Sequence, residues 1–213
     1  MKIAIVQFDT RPLPQLGDML ALLVRNKAYA EAHGYDYRFL DKAYFDLPVY
    51  WQKPQICRHY LAAGYDAVAW LDTDAVVHDL ARPIETLFES AEAMVGAGDN
   101  PYWSAPFNAG VFLVRGSEGA AILERWSALF AGTKWRRTET AWVCEDEWAG
   151  PSYEQGAFCA GLLPELTASG VMRLEHWRTL QSPFPTERAL TLHFAGPFKA
   201  NLPAYLELIG SGD

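Results

Sequence analysis

An α/β fold with a mostly parallel central sheet flanked by helices is what the sequence predicts, on three observations. Short β-rich or apolar runs alternate with segments of helical spacing along most of the chain, the pattern of repeated βαβ units. Glycines and a proline stand where such helices would end or begin. The 213 residues are 50% apolar, and nothing in them reads as a linker, repeat or low-complexity tract. They can bury one full core and read as a single domain over residues 1–213.

Lys2 to Phe8 is the opening strand, followed by a turn around Pro12 and Pro14. A helix runs from about Asp18, whose carboxylate could cap it, to His33; Leu20, Leu23, Val24 and Ala28 are assigned to one face and Gly34 stops it. Tyr35 to Leu40 is the second strand. Pro54, whose missing N–H costs nothing in a first turn, opens a helix carrying Ile56, Tyr60 and Ala63 and ended by Gly64. Ala67 to Leu71 is an apolar strand that delivers Asp72 and Asp74 at its carboxyl end. A short helix at Pro83 to Ser90, strands at Ala93 to Ala97 and Phe107 to Arg115, and a helix at Glu118 to Phe130 follow. Thr133 to Ser152 is rich in Trp and charge and lacks either period, so it is expected to be a long loop that acts as a lid. Glu154 to Leu163 reads as helix, and Val171 to Glu175 and Leu190 to His193 as strands.

Lys and Arg number 18 against 26 Asp and Glu, a net charge of -8. Without a basic stripe to neutralise phosphates, nucleic acid is excluded as a partner. No apolar stretch has the length of a membrane span and no secretory signal is read at the N-terminus, so a soluble cytoplasmic protein is expected. Cys57, Cys144 and Cys159 are an odd count without metal-ligand spacing, which suits reduced thiols.

Chemistry concentrates at strand ends. Asp72 and Asp74 follow a buried run, where two carboxylates need a cation or donors to offset their desolvation, and hard divalent cations prefer carboxylate oxygens. The run ending in His193 offers a third ligand, then Gly196 for close backbone approach and Lys199 as a point charge suited to phosphate. Asn108, Ala109 and Gly110 put an amide and two small residues at the mouth of a strand, and Glu154 with Gln155 sets a carboxylate and an amide at a helix start. Turn formation and helix capping explain the same residues equally well when each is taken alone.

Taken as an ordered set, these residues resemble the GT-A-fold glycosyltransferases. Asn26-Lys27, Tyr29-Ala30, His33-Gly34-Tyr35, Trp51-x-Lys53, Leu71-Asp72-Thr73-Asp74-Ala75, Phe107-Asn108-Ala109-Gly110, Glu154-Gln155 and His193-Phe194-x-Gly196 occur in the order of the retaining galactosyl-, xylosyl- and mannosyl-transferase family. His193-Phe194-x-Gly196-x-x-Lys199 is also similar to the closing motif of the glycogenin-like family, with Ala200 and Asn201 where that family has Pro-Trp, and the family's membrane anchor is not found. The resemblance implies a UDP-sugar donor, a glycan or other hydroxyl acceptor, and Mn2+, with Mg2+ as a substitute, held by Asp72, Asp74 and His193. It implies that Asp72 and Thr73 also touch the donor, that Phe8, Asp9, Thr10 and Arg11 meet the base, and that Lys53, Asn108, Ala109 and Gly110 meet the ribose and sugar. Gly196 and Lys199 would contact the diphosphate. Gln155 would lie beside the anomeric centre with Glu154 near the donor sugar.

Two other readings fit parts of the pattern. A haloacid dehalogenase-type phosphatase would use Asp72 as a covalent nucleophile in an Asp-x-Asp-x-Val pattern completed by Val76, and a non-catalytic domain would bind nucleotide sugar without turnover.

Overall fold

The structure is a computed structural model that describes residues 1–210. β1 (Ile3–Phe8) leads to α1 (Met19–His33), β2 (Asp36–Leu40), α2 (Gln52–Ala62) and β3 (Ala67–Leu71). The short β4 (Ala75–Val77) precedes β5 (Met94–Ala97), β6 (Asn108–Arg115) and α3 (Gly116–Ala128). A small hairpin, β7 (Arg136–Arg137) with β8 (Trp142–Val143), comes before α4 (Glu154–Gly161), α5 (Leu163–Ala168), β9 (Met172–Glu175) and α6 (Trp177–Leu180). β10 (Thr191–His193) and α7 (Leu202–Gly210) follow.

Six strands form the central sheet in the order β2-β1-β3-β6-β5-β9. β1 pairs in parallel with β2 and β3, and β5 with β9, while β6 runs antiparallel to both β3 and β5. One strand of six is therefore reversed. Its first residues, Asn108 to Gly110, consequently lie just past the end of β3, where Leu71 stands opposite Val111 and Asp72 N donates to Gly110 O.

Successive side chains of β3 point to opposite faces. Val68 and Trp70 join Ile56, Phe112, Leu123, Trp126 and Phe158 in one core, whereas Ala67, Ala69 and Leu71 join Ile5, Tyr29, Val111 and Leu180 in another. Helices cover both faces, which is why all five residues of β3 are apolar and buried. Each fully buried large apolar side chain contributes about 1.5–3 kcal/mol of transfer free energy. Among the described residues no helix is long and apolar enough to cross a membrane.

Several local expectations are corrected. The buried face of α1 is Met19, Leu22, Leu23, Asn26, Tyr29 and Ala30, and Val24 and Ala28 face solvent. Asn26, a polar residue, is fully buried because its amide is satisfied on both ends: Nδ2 donates to Gln7 Oε1 and to Ala75 O, and Oδ1 accepts from Val77 N. Asp18 makes no side-chain cap. α2 begins at Gln52, with Pro54 inside its first turn, and Pro83 to Ser90 forms only a short 3-10 turn at Ile84–Leu87. The segment expected to be an irregular loop contains the β7–β8 hairpin. α5, α6, α7 and β4 were not expected, being too short or too uniformly apolar to show a clear period.

Candidate active site

β3 ends at Leu71, and the next four residues form a tight turn in which Ala75 N donates to Asp72 O at 2.9 Å. The two aspartates thus project from a turn between β3 and β4, rather than from alternate positions of one strand as the sequence suggested. The turn is held from beneath. Gln7 Nε2 donates to Asp72 O at 3.1 Å, Asn26 Nδ2 to Ala75 O at 2.9 Å, and Asp72 N to Gly110 O at 2.7 Å. With Gln7 and Asn26 both fully buried, these bonds are protected from water and rigidify the turn.

β10 lies antiparallel to β4 with His193 opposite Ala75, and Phe194 N donates to Asp74 O at 2.9 Å. This register brings His193 beside Asp74; a slip of one residue would turn its ring to the other face. His193 Nε2 is 3.3 Å from Asp74 Oδ1, and Lys199 Nζ is 2.5 Å from Asp74 Oδ2. Burial acts to raise the pKa of Asp74, but the attraction of His193 and Lys199 outweighs it and holds the carboxyl well below the usual range. Burial likewise acts against the imidazolium of His193, and the Asp74 carboxylate overcomes it, raising the imidazole pKa. The ring also needs Gly110, because a Cβ there would stand 2.1 Å from His193 Cε1.

Lys53 is the second cation of the site. It is 6% exposed, and its Nζ lies 3.1 Å from Asp72 Oδ1, 3.2 Å from Glu154 Oε1 and 2.9 Å from Ala109 O. Burial opposes its charge, but Asp72 and Glu154 outweigh burial and raise its pKa. Burial and the neighbouring Asp72 raise that of Glu154 despite the lysine. Lys53 and Glu154 therefore lie beneath the site and brace it. Trp70 Nε1 donates to Asp72 Oδ1 at 2.7 Å, which turns the carboxylate of an otherwise one-third exposed side chain.

The backbone of Asn108 to Gly110 is tied down in the same way. Gln155 Oε1 accepts from Ala109 N at 2.9 Å, and Asn108 accepts from Gly110 N through Oδ1 and donates through Nδ2 to Asp99 Oδ1 at 2.5 Å. At the end of β1, Asp9 accepts from Arg11 Nε and from Thr73 Oγ1 at 2.9 and 2.8 Å, which links the Phe8 to Arg11 segment to the aspartate turn. Burial acts to raise the pKa of Asp9, and bonding to Arg11 and Thr73 brings it below the ordinary value. Gly196 has φ 56°, a left-handed conformation that favours glycine, beside the ring of Trp103.

No protein-family model matches the sequence, and neither does any curated protein. Among solved structures, a glycosyltransferase involved in the glycosylation of the major capsid of PBCV-1 superposes with a TM-score of 0.72 at 18% identity, over 98% of this chain and 100% of that one. The glycosyltransferase GlyE of Streptococcus pneumoniae TIGR4 superposes with a TM-score of 0.55 at 13% identity, over 98% of this chain and 64% of that one. The fold is the GT-A glycosyltransferase fold.

On this GT-A sheet, Asp72, Asp74 and His193 each offer one ligand atom, and the three atoms lie within 4.8 Å of one another. Two carboxylates with one imidazole suit a divalent cation, and the crowding of Asp74 by two cationic groups marks a place where positive charge is stabilised. The residues fit such an ion. Sequence reasoning missed Trp70, Asp99, Trp103 and Gln181, whose Oε1 is 2.7 Å from His193 Nδ1. Only Trp70 carried a signal, sharing with Asp72 the two-residue spacing of one strand face.

Proposed function

We propose that this chain is one catalytic domain that transfers a sugar from a UDP-sugar to a hydroxyl of a carbohydrate acceptor with retention, using Mn2+. The observation that carries the reading is the group Asp72, Asp74, His193 and Lys199, gathered on a GT-A fold past the carboxyl end of β3, where Asn108 to Gly110 begin β6. Asp72, Asp74 and His193 would hold the ion, and a bound divalent ion supplies Lewis-acid stabilisation of the departing diphosphate.

The chain's own residues do the rest. Lys199, 42% exposed at its side chain, turns from Asp74 to the diphosphate, whose negative charge grows as the anomeric bond breaks. Gly196 lets the backbone approach the phosphates, and the Phe8 to Arg11 segment, with Thr73 bonded to it, borders the base and ribose. Gln155, its oxygen engaged by Ala109 N, has no protein partner for its amide nitrogen among the described residues and offers it beside the donor sugar. Glu154, buried against Lys53, fixes that end of α4 rather than moving a proton. The anomeric carbon–oxygen bond to the diphosphate breaks, the acceptor oxygen bonds the same carbon on the same face, and its proton passes to the leaving phosphate.

Calorimetry with UDP tests this: binding is expected to be strong with Mn2+ and weak in EDTA, and Asp74→Ala and His193→Ala should abolish transfer in folded protein. Equal UDP affinities with and without metal, or retained transfer in Asp74→Ala, would reject the reading. Covalent phosphorylation of Asp72 would instead favour the phosphatase, which the GT-A fold and the Lys53 ion pair on Asp72 do not, and UDP binding without turnover of any UDP-sugar would favour a binding domain.

A further inference from the structure

The side chain of Gln181, 1% exposed between α6 and β10, makes three contacts that together define the state of His193. Its Nε2 is 3.2 Å from Asn108 O and 3.1 Å from Val111 O, while its Oε1 is 2.7 Å from His193 Nδ1. The two carbonyl oxygens decide which end of the amide is which, because the opposite orientation would set its oxygen against both of them. The oxygen left facing the imidazole can only accept, so Nδ1 carries a proton.

We propose that Gln181 is a positioning residue that keeps the His193 proton on Nδ1 and thereby reserves Nε2, the nitrogen facing Asp74, for the metal. The same amide bonds His193 to the start of β6, so the candidate metal ligand and the Asn108 to Gly110 segment are held as one piece. The ring is clamped on its edge by Gln181 and on its face by Gly110. Outer partners of this kind fix the tautomer and direction of a metal-binding imidazole, and losing one costs metal affinity on the order of 10–100-fold. The proposal rests on the metal-site reading given above, but its first test does not require the metal.

In the metal-free full chain carrying 15N-labelled histidine, the His193 resonances, identified by their loss in His193→Asn, should show a protonated Nδ1 and a bare Nε2 once the imidazole is neutral. Gln181→Met, close in volume and unable to accept from Nδ1, should shift the neutral ring toward the other tautomer. It should also weaken Mn2+ binding in the presence of UDP on the order of 10–100-fold by electron paramagnetic resonance. A neutral wild-type His193 with its proton on Nε2 and a bare Nδ1 would overturn the proposal, as would a folded Gln181→Met with wild-type Mn2+ affinity. If that variant fails to fold, the wild-type tautomer decides alone. Absence of Mn2+ binding by the wild type would instead overturn the proposed function, with the tautomer still measurable.

Discussion

Gly110 shows how a single missing atom shapes the site. A Cβ at this position would lie 2.1, 2.6 and 2.7 Å from Cε1, Nδ1 and Nε2 of His193, closer than any contact between these atoms permits. The ring is confined by Gln181 and by the pairing of β10 with β4, so it cannot retreat without losing its place beside Asp74. Gly110→Ala is therefore expected to displace the imidazole and weaken Mn2+-dependent UDP binding at least about tenfold, with an overpacking cost of about 1–3 kcal/mol. Calorimetry and thermal unfolding measure the two effects separately. Wild-type affinity in the variant would show that the ring position does not define the site.

At the scale of an element, the segment from Thr133 to Ser152 is a braced hairpin. Arg136 pairs with Val143 and Arg137 with Trp142, Lys134 Nζ meets Asp146 Oδ1 at 2.6 Å, and Ser152 Oγ donates to Asp146 Oδ2 at 2.5 Å. Trp51 and Trp135 both donate their indole N–H to Ser152 O, at 3.0 and 2.7 Å, tying the base of the hairpin to the residue that precedes α2. The return segment after β8 carries Trp148, 66% exposed, which packs edge-on against Tyr50 and Tyr153 next to Glu154. Aromatic rings fixed in this way present faces on which an acceptor sugar can stack. Replacing residues 136–148 by a short Gly-Ser connection should spare Mn2+-dependent UDP binding but lower transfer to acceptor far more than slow hydrolysis of the donor. An unchanged ratio of transfer to hydrolysis would place acceptor recognition elsewhere.

Across the whole molecule, Lys53 joins the parts. Its buried ammonium reaches from α2 to Asp72 after β3, to Ala109 on β6 and to Glu154 on α4. Replacing it with Met would leave the buried carboxylate of Glu154 and the one-third exposed carboxylate of Asp72 without their shared counter-charge. Removing one partner of a buried ion pair costs about 3–5 kcal/mol, so Lys53→Met should lower the unfolding free energy by that amount, measured as a fall in the urea midpoint with little change in the denaturant slope. A loss below about 1 kcal/mol would mean that Glu154, already raised in pKa by burial and by Asp72, takes up a proton and dissolves the repulsion.

The α/β alternation, the strands that end at Phe8, Leu71 and His193, and the residue types of the site were all legible in the sequence. Period and composition are local properties, and each of these features lies within a few neighbouring residues. The buried face of α1 was misread, because Asn26 belongs to the core only through partners on β1 and β4 that are distant in the chain. Gln181 gave no sign, since an amide in a short connection acquires its role only when Asn108, Val111 and His193 surround it. The sequence by itself determined the longer strands and helices, β1, α1, β2, α2, β3, β6, α3 and α4, and where carboxylates, imidazole and lysine stand along the chain. Only the tertiary structure decided that β6 runs against its neighbours and that β10 meets β4 in the register placing His193 at Asp74. Strand direction and register arise from pairing and packing between distant segments, which no local pattern encodes.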